Sequence, residues 1–165
     1  MSNKVEIRRQ RVSDAKRFFE ILTNPNFIYF TANPKSMEDE KEWLRGNTLR
    51  RKQNFAHSFS ILYKNDVAGG CGLKINQHRQ HEGEVGYFVD EKYWGNGIAT
   101  KAVKKLEKIG FGKLRLKRII ILMNPKNIAS KKVAIKCGYK KEGLMKKAVF
   151  AKGKYHDVYL YAKVK

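Results

Sequence analysis

Residues 93–106 read YWGNGIATKAVKKL, in which two glycines spaced two apart lead directly into helix-forming residues. A strand that delivers the chain into Gly95-Asn96-Gly97 and then a helix exposes several unpaired backbone N–H groups, and these add to the positive end of the helix dipole. A phosphate is the natural guest of such a turn. It is not a P-loop, because no GxxxxGK followed by Ser or Thr occurs. Nor is it a dinucleotide fingerprint: Thr100 stands where the third glycine would be, and Lys117 and Arg118 fall where a ribose-binding acid belongs. The same glycines would serve equally in a plain strand-to-helix connection that needs their backbone angles. In the helix that follows, Ala99, Ala102, Val103 and Leu106 share one face. Lys101, Lys104, Lys105 and Lys108 share the other, a solvated face that would also surround a bound anion with favourable potential.

Other reactive side chains are sparse. Cys71 and Cys137 lie in different segments without C-x-x-C spacing, and both read as small buried apolar residues. Of the four histidines, His78 and His81 have ligand-like spacing but sit in a polar loop without a supporting carboxylate or cysteine set, so no metal site is expected. The segment YHDVYLY, with His156, reads as a strand rather than a His-Asp catalytic pair.

The elements that must position the turn follow from periodicity. KVEIRRQRV alternates like a short strand, after which Ser13 or Asp14 can cap a helix with Ala15, Phe18, Phe19 and Leu22 on one face. Ser36 opens a second helix running through MEDEKEWLRGNTLRRK, acidic at its start and basic at its end as the dipole prefers. FAHSFSILYK and VAGGCGLKI form a hairpin about KND, and EVGYFVD is the strand before the glycine turn. The helix after it extends through Ile109 and is closed by Gly110 and Gly112. LKRIIILM is an almost continuous apolar run, expected at the centre of a sheet. A helix capped near Asn127 ends at Gly138, and two final strands meet around Gly153. Alternation in the middle and antiparallel ends predict an α/β (α+β) fold, one mixed sheet with helices on both faces.

With 165 residues, the chain is expected to form one domain, residues 1–165, and nothing in its composition marks an internal boundary. Its N-terminus does not read as a signal peptide, and no stretch approaches the ~20 apolar residues of a membrane span, so a soluble, cytoplasmic protein is expected. Charge is the outlier. Thirty-six Lys and Arg against fifteen Asp and Glu give +21, a balance that attracts polyanions such as RNA, ribosomes or a phosphate-rich cofactor. Spread along the whole chain, it also suits a merely well-solvated surface.

EVGYFVDEKYWGNGIATKAV resembles the acetyl-coenzyme A binding core of the GNAT acetyltransferases. The stretch NPKNIASKKVAIKCGYKKEGLMKKAVFAKGKYHDVYLYAKV is similar to the second half of their RimJ/RimL branch, the protein N-terminal acetyltransferase type. The resemblance runs from about Lys4 to Val164 and implies a mostly antiparallel sheet with a central splay. Pantetheine would lie between the strand at 84–89 and that at 116–123, with the pyrophosphate on the N–H groups of Gly95, Asn96, Gly97, Ile98, Ala99 and Thr100. Trp94 stands where the family usually has Gln or Arg before the first glycine. The resemblance further implies Glu84 as a base working through water, N–H groups around Phe88 and Val89 as oxyanion donors, and Asn127 as a cofactor contact. The helix tyrosine of many GNAT enzymes is absent at Ala134, and Ser130, one turn earlier, matches the branch's serine as proton donor or thiol-positioning group. A helix serine bonding the preceding turn is the plainer alternative for Ser130.

The implied acceptor is an α-amine of a protein or peptide, with ribosomal proteins the inherited suggestion and a monomer or homodimer expected. An α-amine is about one-sixth neutral at pH 7, whereas a lysine-like amine is neutral about once in 2,500 molecules, so the α-amine asks less of its base. A polyamine acceptor, suggested by Glu38, Asp39, Glu40 and Glu42, is the alternative, and a noncatalytic nucleic-acid-binding protein a more distant one.

Overall fold

A computed structural model of the chain describes residues 3–29 and 32–165. It contains one seven-stranded sheet: β1 (Glu6–Arg9), β2 (Ala56–Tyr63), β3 (Asp66–Ile75), β4 (Glu82–Val89), β5 (Arg118–Met123), β6 (Lys140–Ala151) and β7 (Lys154–Val164), in the spatial order β1-β2-β3-β4-β5-β7-β6. Every neighbouring pair is antiparallel except β4 with β5. The β2–β3 hairpin turns on Lys64 and Asn65, both left-handed, which matches the twist of a two-residue connection. The apolar run LKRIIILM supplies β5, between β4 and β7 as its composition predicts.

The parallel ladder is short. It pairs Glu82 with Arg118, Gly83 with Ile119 and Glu84 with Ile120, and there it stops. Beyond that point β4 stays on β3 as far as Val89 opposite Gly69, while β5 stays on β7 as far as Met123 opposite Tyr159. Each strand follows its antiparallel partner, so the sheet opens into a splay between the outer halves of β4 and β5.

Helices cover both faces. On one, α4 (Ile98–Glu107) packs Val103 and Leu106 into a core with Leu73, Val85, Ile119 and Ile121. On the other, α1 (Ala15–Leu22) and α2 (Met37–Arg45) bury Ala15, Phe18, Leu22 and Leu44 against Phe88. The period of two along β4 therefore sends Val85, Tyr87 and Val89 to the α4 face and Phe88 to the other.

The structure corrects three local expectations. The second helix breaks at Gly46 into α2 and α3 (Asn47–Lys52), with Ser36 Oγ accepting the Asp39 N–H as N-cap. Gly110 and Gly112 lie inside a wide π-type turn, Lys108–Lys113, rather than closing α4. A Cβ on Gly110 would meet Ile119 at 2.8 Å, so that glycine is there for close packing on the sheet. In α1 the core face uses Ile21, whereas Phe19 is only partly covered, and Asp14 makes no side-chain cap. The Asp14 carboxylate is instead drawn into a buried network with Arg8 and Ser60.

Candidate active site

The glycine turn follows β4 through a short 3-10 turn, Glu91–Tyr93, whose N-cap Asp90 accepts the Lys92 N–H. Gly95 and Gly97 have φ of +80° and +69°, the left-handed region that glycine tolerates best. A Cβ on either would meet nothing within 4 Å, so the backbone there is open to an approaching group. Asn96 pins the turn from inside, its amide donating to the carbonyls of Tyr93 and Trp94. The first helical bond of α4 runs from the Lys101 N–H to the Gly97 carbonyl. The N–H groups of Ile98, Ala99 and Thr100 therefore have no carbonyl one turn back to receive them. Lys101 and Lys104 extend outward from the same helix, exposed. The turn can hold an anion on its amides.

The end of β4 is held from several sides. Arg17 of α1 donates to Asp90 at 2.6 Å and to Asp66 at 3.2 Å, tying the exit of β4 to the start of β3. The Asp90 N–H donates to the Ala68 carbonyl at 2.8 Å. Peptide groups alternate along a strand, so the Phe88 peptide faces β3 and the Val89 peptide faces the splay. The Val89 carbonyl is taken by the indole N–H of Trp94 at 2.7 Å. Trp94 thus reaches back to lock the strand end, a role its mismatch with the usual family residue does not disclose.

Glu84 occupies the last rung of the parallel ladder and lines a cleft of about 360 Å³ with Phe55, Lys74, Glu82, Met145 and Leu160, on the face away from α4. Burial, aided by Glu82, raises its carboxyl above the usual range against the opposing pull of Lys74. The neighbouring Glu82 is differently occupied. It is buried, accepts from Arg118 Nε at 2.8 Å and from Asn76 at 3.0 Å, and its carboxyl is held low by these donors against the cost of burial. Arg118 also bonds Glu142, so this ionic clamp joins β4, β5 and β6 at the first rung of the parallel ladder.

On the α4 side, α5 (Ile128–Lys136) presents Asn127 and Ser130. Asn127 caps the helix, its Oδ1 accepting the Ser130 N–H at 3.1 Å while its Nδ2 donates to Ser130 Oγ at 3.2 Å. Besides this bond to the preceding turn, the Ser130 hydroxyl lies 2.8 Å from the phenol oxygen of Tyr87. Ala134 is fully buried in the core and has no chemistry to offer. Residue-by-residue reading missed Tyr87. The one available signal was a tyrosine in a row of core-facing valines, whose hydroxyl must find a partner.

The segment 24–29 spans the open end of the splay. Asn24 and Asn26 donate to Glu91, Tyr29 donates to the Lys126 carbonyl at 3.3 Å, and Lys152 Nζ reaches the Phe27 and Ile28 carbonyls. Phe27 lies 5.9 Å from the Trp94 ring. The acidic group at the start of α2 is consumed locally: Glu38 and Glu42 pair with Arg45, Asp39 accepts the Lys35 N–H, and Glu40 is buried. No group of three or more metal-binding side chains occurs among the described residues, His78 and His81 included. No helix among them is long and apolar enough to cross a membrane.

The family model for an acetyltransferase (GNAT) domain matches residues 4–140. The ribosomal-protein-serine acetyltransferase of Escherichia coli (strain K12) is 29% identical over 87% of this chain and 76% of its own. Among solved structures, RimL, a ribosomal L7/L12 alpha-N-protein acetyltransferase in complex with coenzyme A, superposes with a TM-score of 0.88 at 25% identity, covering 99% of this chain and 95% of that one. A ribosomal-protein-S5-alanine acetyltransferase from Vibrio fischeri gives 0.86 at 27%, covering 99% and 94%.

Proposed function

The chain belongs to the GNAT acetyltransferase family, and from that membership we propose that it transfers acetyl from acetyl-coenzyme A to the N-terminal α-amine of a protein. It is an acetyl-coenzyme A-dependent N-acetyltransferase; the acceptor and the role of each side chain are our reading. The splay carries that reading: two strands that pair for three residues and then part, with an open-backbone turn at the end of one of them. Acetyl-coenzyme A supplies an activated thioester. Its pyrophosphate is assigned to the N–H groups of residues 95–100, with Asn127 a further contact at the start of α5.

The splay separates two sets of groups. Glu84 faces the cleft away from α4, and Ser130 lies on the α4 side, so an amine and a leaving sulfur would be served from opposite faces. Glu84, with its carboxyl raised, takes the surplus proton of the attacking amine through water. The Val89 N–H, turned to the splay, is assigned to the developing oxyanion; the Phe88 peptide faces β3 and is assigned to holding the strand. Ser130 attends the sulfur. Neither cysteine is needed, and burial pushes both thiols up, away from reactive thiolate.

An α-amine acceptor fits a base of this kind, and the relatives that act on ribosomal proteins support it. A charge of +21 supports work beside an RNA-rich partner such as the ribosome. The loss of the α2 carboxylates to local pairs weakens the polyamine alternative. The test compares a peptide with a free α-amine and the same peptide Nα-blocked but bearing a lysine. From the neutral fractions alone, kcat/KM at pH 7 should favour the free α-amine by about two orders of magnitude or more. Equal rates on the two peptides would sink the α-amine assignment.

A further inference from the structure

Tyr87 lies on β4 beyond the last rung shared with β5, and its hydroxyl meets Ser130 across the splay. Its neighbours Val85 and Val89 show that this face of β4 needs only apolar bulk, so a phenylalanine would pack as well. The hydroxyl therefore calls for a reason of its own. A serine hydroxyl has one hydrogen and two lone pairs. Asn127 Nδ2 fills one lone pair, and the orientation of that amide is fixed because its Oδ1 is occupied by the Ser130 N–H. What remains is the direction of the bond with Tyr87. If Tyr87 donates, both lone pairs of Ser130 are filled and its single hydrogen is left to point elsewhere. If Ser130 donates, it has nothing to offer a ligand.

We propose that Tyr87 is a positioning residue that donates its phenol hydrogen to Ser130 Oγ and thereby commits the serine's own hydrogen to the sulfur of coenzyme A. The inference rests on the assignment of Ser130 to the sulfur. An alcohol, like water, is roughly seven powers of ten less acidic than a thiol near 8.5. Ser130 therefore serves as a hydrogen-bond donor to the leaving sulfur and keeps its proton. In the transfer, the C–N bond forms and the C–S bond breaks with its electron pair on sulfur. The amine's surplus proton passes through water to Glu84, and the thiolate is later protonated from solvent. Tyr87 and Asn127 hold the donor aimed throughout, and donation from the phenol strengthens the serine's own bond. The titratable groups near Tyr87 are the Cys137 thiol and, opposite it on β3, the Cys71 thiol, while burial keeps the phenol itself protonated.

The test is a titration of coenzyme A itself, bound to the wild type, Tyr87→Phe, Ser130→Ala and the double variant, following thiolate ultraviolet absorbance. It needs no acceptor. Losing the donor in Ser130→Ala should raise the bound thiol's midpoint by about one pH unit, Tyr87→Phe should raise it by about half of that or more, and the double variant should match Ser130→Ala. Coenzyme affinity of Tyr87→Phe should stay within about twofold by calorimetry. A raised midpoint in Ser130→Ala with none in Tyr87→Phe would overturn the role of Tyr87 and spare that of Ser130. Unchanged midpoints in both would overturn the two together. Additive shifts in the double variant, or collapse of coenzyme binding in Tyr87→Phe, would also overturn the inference, since Tyr87 would then act independently of Ser130.

Discussion

Replacing Gly97 by valine separates what the glycine turn does for the fold from what it does for the ligand. Gly97 is the N-cap of α4 at φ +69°, ψ 16°, and an added side chain projects into space where no protein atom lies within 4 Å. Forcing a β-branched residue into the left-handed region costs about 1–3 kcal/mol of stability. For a chain of this size, that is a fall in Tm of roughly 2–10 °C. The ligand effect is separate and larger. Each amide hydrogen bond to a charged group contributes about 1.5–3 kcal/mol, so a side chain that keeps a phosphate off two amides costs about 3–6 kcal/mol, or about 10²–10⁴-fold in Kd. Gly153→Val is the control, because Gly153 has φ +78°, also faces open space, and belongs to the β6–β7 turn, outside the segment 95–100. Isothermal calorimetry with acetyl-coenzyme A should find the loss in Gly97→Val alone, with both variants sharing the fall in Tm. Binding within about threefold of wild type in Gly97→Val, or an equal loss in Gly153→Val, would refute the placement of the phosphate.

Three further perturbations follow. Burial raises the Glu84 carboxyl, so its contribution to stability is complete below the ordinary value of 4.5 and is lost as pH rises through the folded value. Glu84→Gln should therefore melt higher than wild type at pH 7, with the gap closing near pH 4, while the acid limb of the rate profile loses its carboxylate component; an unchanged profile shape would remove Glu84 as base. Trp94→Phe leaves the Val89 carbonyl without its 2.7 Å donor and should cost about 1 kcal/mol in chemical denaturation, against an expectation of no change if the indole bond were incidental. Arg118→Ala strips Glu82 of its best partner, leaving Arg79 and Asn76, and should cost about 2–4 kcal/mol. Because the Glu82 carboxyl is held low, its stabilisation is present above the ordinary value and lost as pH falls, so the melting gap for Arg118→Ala should narrow in acid. A gap independent of pH would contradict the clamp.

What could be read from the sequence was local. The glycines of the turn, the Asn127 cap, the buried strand LKRIIILM and the two hairpins each announce themselves within a few residues, because their chemistry is satisfied by near neighbours. The Gly46 break lies inside a stretch whose charge pattern runs smoothly through it, and its one local signal is the glycine itself. Contacts between distant segments were hidden. Tyr87 meets Ser130 across 43 residues, Arg17 meets Asp90 across 73, and neither spacing leaves a trace in periodicity. Trp94 was visible as a departure from the family pattern, but its use depends on which way the Val89 carbonyl turns, and that depends on the register of β4 with β3. The α2 carboxylates could be read in sequence as a cation site or as acids suited to a helix start, and the structure pairs Asp39 with the Lys35 N–H and Glu38 with Arg45.

Mass spectrometry of acetyl transfer decides which class of amine this chain acetylates. The purified protein would be given acetyl-coenzyme A and a mixture of peptides with free N-termini and different first residues, Nα-blocked peptides containing lysine, and polyamines. The expected outcome is acetyl on peptide α-amines, with a preference among first residues, and little on lysine side chains or polyamines. Label on polyamines with none on any α-amine would contradict it.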